Sequence, residues 1–296
     1  MGENKRYCIY TNTFTSENEG SWDHIIPISL GGCNQFTTWA SKTFNSEFGS
    51  KIESKLLKDI IVPLAVRNAG IKGRNGSGTS PRWRSYIGSE LVITELGQHE
   101  IKHWSPKTRQ YLPNTHTEGV VFTTSFDINI ENELKFLCKV CLGGAYRIYG
   151  DLIKNEPWVE QLRCIINQNK ISATNPKLNG IRINWRFHDN TGDINPEGAF
   201  DKILFEYTNR SVFAIVPTLN SLICSIGICG HYLGSIIIET NTDIYPNAMD
   251  YESDISGNVM LLKPGLFQAM SYRRHVVNLA NHIGYNIPSG AILPDG

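Results

Sequence analysis

Asp23-His24-Ile25-Ile26-Pro27 is the stretch of this 296-residue chain whose residue types could do chemistry. An imidazole titrates near neutrality, so His24 is suited to take a proton from water as a general base. A carboxylate is the hard oxygen donor that Mg²⁺ or Mn²⁺ prefers, which makes Asp23 a candidate metal ligand. Adjacent strand residues face opposite ways, so the two side chains can serve different tasks if the strand ends or twists there. Activated water beside a cation is what phosphodiester hydrolysis needs: a nucleophile, and neutralisation of charge on the phosphate and the leaving oxygen.

The elements around the pair must hold it. Residues 6–10 alternate as a short strand, 11–20 are polar and turn-like, and 21–28 begin as a second strand. Leu30-Gly31-Gly32 makes a turn. From about residue 40 to 61 the pattern turns helical, with Phe44, Phe48, Ile52, Leu56 and Ile60 at four-residue spacing. Asn45-Ser46-Glu47-Phe48-Gly49 enters that helix, and Asn45 also suits a helix N-cap.

Asp23-His24-Ile-Ile-Pro27, then Gly31-Gly32, Asn34 and Asn45 before a helix, resembles the HNH endonuclease family. The resemblance covers roughly residues 6–58. It implies a two-stranded hairpin and a helix gripping one divalent metal, Mg²⁺ or Mn²⁺. In that pattern His24 is the general base, and Asp23 and Asn45 are the metal ligands. Asn34 braces the loop that orients the base, eleven residues before Asn45. Many relatives add a structural zinc held by two Cys-x-x-Cys pairs. The corresponding positions here are Cys8, Thr11, Ser41 and Phe44, with one cysteine among four, so no structural zinc is expected. Phe44, Trp39 and Phe48 would pack in its place.

Bulk composition constrains the rest. Hydrophobic residues at 41% and charged residues at 19% are ordinary for a globular protein of one or two domains. The formal net charge is zero, so affinity for nucleic acid must come from a local basic region. Residues 51–109 hold eleven Lys/Arg against five Asp/Glu, interleaved with Trp83, Tyr86, Trp104 and Tyr111. Lys51, Lys55, Arg67, Lys72, Arg74, Arg82 and Arg84 are the candidate nucleic-acid contacts. No run approaches the ~20 apolar residues of a membrane span. With no apolar run near the N-terminus, a cytoplasmic location is expected. Seven scattered cysteines read as reduced thiols, and Cys138 and Cys141 fall in a helical apolar stripe as buried thiols.

Downstream, 131–170 reads as helical, with a second helix over 157–168. Strands are expected at 181–187, 203–207, 212–216, 223–228 and 235–239, and a closing helix at 272–283. The expected fold is α+β: an N-terminal ββα-metal (HNH) unit over 1–61, a basic linker and DNA-contact region over 62–130, and a mixed helical and antiparallel-sheet region over 131–296. The last would serve specificity, dimerisation or regulation. The expected activity is metal-dependent cleavage of DNA, of restriction or defence type, with RNA left open as substrate and a homodimer compatible with two-strand cutting. Two other readings are a nucleic-acid-binding protein that does not cleave and a ligand-gated defence nuclease.

Overall fold

The computed structural model describes residues 5–73, 76, 78, 80–97, 100–113, 121–124, 129–168, 179–185, 203–245 and 257–285. Two antiparallel hairpins open the chain. Strand β1 (Arg6–Cys8) pairs with β2 (Thr13–Thr15), and β3 (Gly20–His24) pairs with β4 (Thr37–Ser41). The sequence suggested strands at 6–10 and 21–28 and then a turn into the helix. Each of those strands instead finds a partner in a short Thr-rich segment too brief to show a clear alternation.

The loop between β3 and β4 reverses through a 3-10 turn at Ile28–Leu30. Gly31 closes it at φ +82°, a left-handed conformation that glycine adopts without strain. Gly32 donates its N–H to the Pro27 carbonyl at 2.9 Å, and a Cβ there would collide with the Ile26 carbonyl. The Gly-Gly pair is therefore what lets the Ile-Ile-Pro segment fold back.

Helix α1 (Lys42–Phe48) starts directly after β4, with Ser41 as N-cap accepting from the Phe44 N–H at 3.1 Å. Asn45 lies one turn inside, so its side chain is not used as the cap. The helix expected over 40–61 widens into a π-helical turn at Gly49–Glu53 and ends as the short α2 (Ser54–Leu56). Ser50 and Ser54 hydroxyls bond back to the carbonyls of Glu47 and Ser50 there, competing with the regular ladder. Helix α3 (Ile61–Asn68) follows.

Within the basic stretch, the described residues between 82 and 124 build a five-stranded antiparallel sheet. Its strands are β5 (Arg82–Ile87), β6 (Glu90–Leu96), β7 (Ile101–Ser105), β8 (Gln110–Tyr111) and β9 (Phe122–Thr124), in the order β8-β7-β6-β5-β9. Next come α4 (Ile130–Tyr149) and α5 (Pro157–Asn167), which starts on a proline where no intrahelical N–H is required. A six-stranded antiparallel sheet completes the chain. It comprises β10 (Ile181–Trp185), β11 (Ser211–Pro217), β12 (Ser221–Ile228), β13 (His231–Glu239), β14 (Asn258–Lys263) and β15 (Leu266–Ser271), in the order β10-β13-β12-β11-β14-β15. Helix α6 (Tyr272–His282) closes it. The strand expected at 203–207 is instead a helical turn over 203–206, with Leu204 and Phe205 buried. The architecture is a mixed α+β fold with antiparallel sheets. No helix among the described residues is long and apolar enough to cross a membrane.

Helix α4 sits between the N-terminal hairpins and the six-stranded sheet. A glycine pair within it makes both approaches close: a Cβ on Gly143 would strike the Tyr10 hydroxyl, and one on Gly144 would strike the Phe213 ring. Each glycine costs about 1 kcal/mol of helix propensity relative to alanine, offset here by burial on two faces. One hydrophobic core runs from Tyr7 and Ile25 through Phe136 and Leu142 to Phe213 and Leu262. Cys138, Cys141 and Cys224 are buried in that core, and burial pushes the Cys138 and Cys141 thiols well above the ordinary range.

Candidate active site

Strand alternation separates the Asp-His pair. Asp23 turns inward and is buried, while Trp22 and His24 share the opposite, more open face of β3. The His24 Nε2 and the Asn34 amide oxygen lie 2.9 Å apart. An amide oxygen can only accept, so Nε2 carries the hydrogen and the neutral ring keeps its lone pair on Nδ1. The loop built on Gly31 and Gly32 carries Asn34 to that position.

Asp23 is held from behind. Its Oδ2 accepts the Tyr10 hydroxyl at 3.1 Å and lies 2.9 Å from the Lys139 ammonium. Lys139, fully buried on α4, also bonds Glu53 Oε1 at 2.9 Å and the backbone carbonyls of His24 and Ile25 at 2.8 and 3.1 Å. Burial alone would lower the lysine's pKa, but Asp23 and Glu53 outweigh it and hold the ammonium above its usual range. Burial raises the Glu53 carboxyl, partly opposed by Lys139. Burial, then the charge of Asp23, keeps Tyr10 a phenol well above its ordinary range.

Asn45 donates its amide N–H to the Ser21 hydroxyl at 3.1 Å, which directs its amide oxygen away from that contact. Asp23, His24, Asn45 and Glu53 line one cavity of about 260 Å³ together with Trp22 and the Pro27–Ser29 turn. Three of the four residues singled out from the sequence thus meet in one cavity, and Asn34 joins them through His24. Comparison with family models, with curated proteins and with solved structures finds no match to this chain.

Sequence reasoning missed Tyr10, Glu53 and Lys139. Lys139 did carry a signal. It is a single cation in the run Leu137-Cys138-Lys139-Val140-Cys141, and a lysine inside an apolar helical stripe must have buried counter-charges. Glu53 carried none, because a glutamate on an amphipathic helix is ordinary.

The chemistry of the donor set fits a hard divalent cation. Tyr10 and Lys139 both meet the Asp23 carboxylate at Oδ2, and the Lys139 contact to Glu53 uses Oε1. Two carboxylates face one ammonium here, so the ammonium alone would not offset both if they were ionised. Asp23 Oδ1 and the Asn45 amide oxygen are the oxygens that would hold such an ion, with water completing its shell. Among the described residues no group of three His, Cys, Asp or Glu is gathered for a metal, so the amide and the waters are needed.

Cys8, Ser41 and Phe44, weighed above as zinc-ligand positions, make other contacts. Cys8 Sγ accepts from the Ser41 N–H at 3.3 Å, and Phe44 stacks between Tyr10 and Phe48 at 4.6 and 5.3 Å. Trp39 packs edge-on against Trp22 and donates to the Thr15 hydroxyl at 2.8 Å.

The expected nucleic-acid contacts lie elsewhere. None of the described ones lines the 260 Å³ cavity. Lys51 pairs with Glu47 and, with Lys55, borders a cavity of about 510 Å³ on the other side of α1. Arg82 and Arg84 share a groove of about 500 Å³ with Lys55, Lys58, Trp83 and Tyr86, although Arg82 is paired with Glu95. Arg67 donates to the Gly97 carbonyl, and the Lys72 backbone bridges to Gly78. Arg74 lies outside the described residues.

Proposed function

We propose that this chain is an endonuclease of the HNH type that hydrolyses a phosphodiester bond with one divalent cation, and that the β3–β4 hairpin with α1 is its ββα-metal unit. One observation carries the reading. His24, its tautomer set by Asn34, borders the same cavity as the oxygen donors Asp23 and Asn45.

In this reading His24 Nδ1 takes a proton from water, and Nε2–H stays on Asn34, so the ring accepts without turning. Asp23 and Asn45 would hold Mg²⁺ or Mn²⁺. When bound, the ion supplies charge neutralisation for the phosphate and for the departing 3′ oxygen. Lys139 positions Asp23 and clamps the carbonyls at the end of β3, keeping the strand from fraying where the chemistry occurs. DNA is the expected substrate.

A second reading is favoured by the Lys139–Asp23 pair. A protein that binds nucleic acid without cutting would use the buried ammonium as a permanent internal cation and would need no metal. Incubating supercoiled plasmid with Mg²⁺, Mn²⁺ or EDTA separates the two, using wild type and His24→Ala at matched stability. Metal-dependent nicking that His24→Ala removes is the expected result. Binding without cleavage, unchanged by EDTA and by the mutation, would sink the nuclease reading in favour of the second.

A further inference from the structure

A second, larger groove adjoins the cavity at Trp22 and His24. It encloses about 860 Å³, and its lining includes Arg6, Trp22, Asn34, Gln35 and Arg147. The three other cavities described above each have carboxylates in their walls: Glu47 and Glu131, Asp59 and Glu133, or Asp23 and Glu53. This groove has two guanidinium groups and no carboxylate in its lining, although Glu17, outside the lining, lies 3.7 Å from the Arg6 guanidinium and leaves Arg147 the less opposed of the two. In a chain of zero net charge, that makes it a local site for a polyanion.

Its aromatic lining is unusual too. Trp22 is 57% exposed, although it sits beside the buried Asp23. Trp39 meets it edge-on at 5.5 Å, and the Arg6 guanidinium lies 5.2 Å from its ring centre. These contacts orient the indole without burying it. Because Trp22 and His24 lie two residues apart on one strand, they face the same way, and a ligand on the indole lies next to the imidazole.

We infer that this groove binds an unpaired nucleic-acid strand, with a base stacked on Trp22 and the backbone held by Arg6 and Arg147, next to the bond presented to His24. The assignment deepens the endonuclease reading and rests on it for the placement of the scissile phosphate. A paired base has both faces covered by its neighbours in the duplex, so a single projecting indole can stack only on a base that is unpaired or displaced. Stacking of this kind tolerates any base, and guanidinium–phosphate contacts read no sequence. The site therefore selects single-stranded or locally unpaired segments, with little sequence preference.

The test is fluorescence anisotropy in EDTA, using a labelled oligothymidylate and a duplex of equal length, with wild type, Trp22→Ala, Trp22→Phe and Arg147→Ala. Trp22→Ala should weaken single-strand binding about tenfold, and Trp22→Phe should recover most of it, because a phenyl ring still stacks. Duplex affinity should change less. Arg147→Ala should reduce the slope of log affinity against log salt by about 0.7. Trp22→Ala and Arg147→Ala proteins, folded by circular dichroism, that hold the single strand as tightly as wild type would overturn the assignment, even if His24-dependent cleavage persists. Trp22-dependent binding with no cleavage in Mg²⁺ or Mn²⁺ would keep the groove and remove the nuclease reading instead.

Discussion

His24 and His275 are the same side chain in two regions of the molecule, and their surroundings separate a candidate reactive group from a structural one. His24 lines a polar cavity beside Asp23 and Asn45 and meets Asn34 at its Nε2. His275, on α6, is buried with both nitrogens engaged: Nδ1 accepts from the Tyr207 hydroxyl at 3.0 Å, and Nε2 donates to the Leu204 carbonyl at 3.1 Å. Burial lowers the pKa of His275 to about 4, opposed by its bond to the Leu204 carbonyl. A histidine so held is a neutral wedge between a helical turn and a helix. The lesson concerns partners: both are hydrogen-bonded, but only His24 has oxygen donors and an open groove beside it.

The largest effect should be on rate at the first histidine. His24→Ala should lower cleavage by about 10² to 10⁴-fold while leaving the thermal midpoint within a few degrees, measured by initial rates and calorimetry on one preparation. Equal rates for both proteins would erase the contrast with His275.

Lys139→Met comes next and acts on stability. It leaves Asp23 and Glu53 buried without their ammonium, a loss of about 3–5 kcal/mol, to be read from urea midpoints. Lys139→Met with wild-type stability would mean that the buried cluster is not what holds the end of β3.

His275 should show itself through pH. Its folded pKa lies below the ordinary histidine value, so the unfolded chain binds the proton more readily. Its contribution is fully present above about pH 6.5 and is lost as pH falls through about 4, amounting to about 3 kcal/mol. Denaturation series from pH 7 to 4 on wild type and His275→Gln should differ in slope over that window, and parallel curves would refute the wedge.

Asn34→Ala should be the mildest, a roughly tenfold fall in kcat/KM from a less well-oriented imidazole, with stability nearly unchanged because Asn34 is exposed. A rate identical to wild type would show that the ring is held by other contacts.

The candidate site was partly legible because part of it is local. Asp23, His24, Gly31 and Gly32 fall within ten residues, and their spacing reflects a strand end followed by a tight reversal that only glycines permit. The helical stripes that became α4 and α5, and most strands of the six-stranded sheet, followed from apolar periodicity. Strand β4 was not legible, since five residues flanked by turns on one side and a helix cap on the other show no repeat. The helical turn at 203–206 reads as a strand in the sequence because Ile203-Leu204-Phe205-Glu206-Tyr207 is too short to show a distinguishable period.

Residue types and periodicity carried an α+β chain with one chemically suggestive turn, two glycines after it, and most of the later helices and strands. It took the packed fold to bring Asp23 to Lys139, 116 positions along the chain, and Glu53 to both. It also turned Trp22 and the two arginines onto the His24 side, away from the basic stretch that composition had favoured. The reason is physical. Periodicity reports which face of an element is apolar, whereas a buried charge is placed by whichever distant element brings its counter-charge within hydrogen-bonding reach.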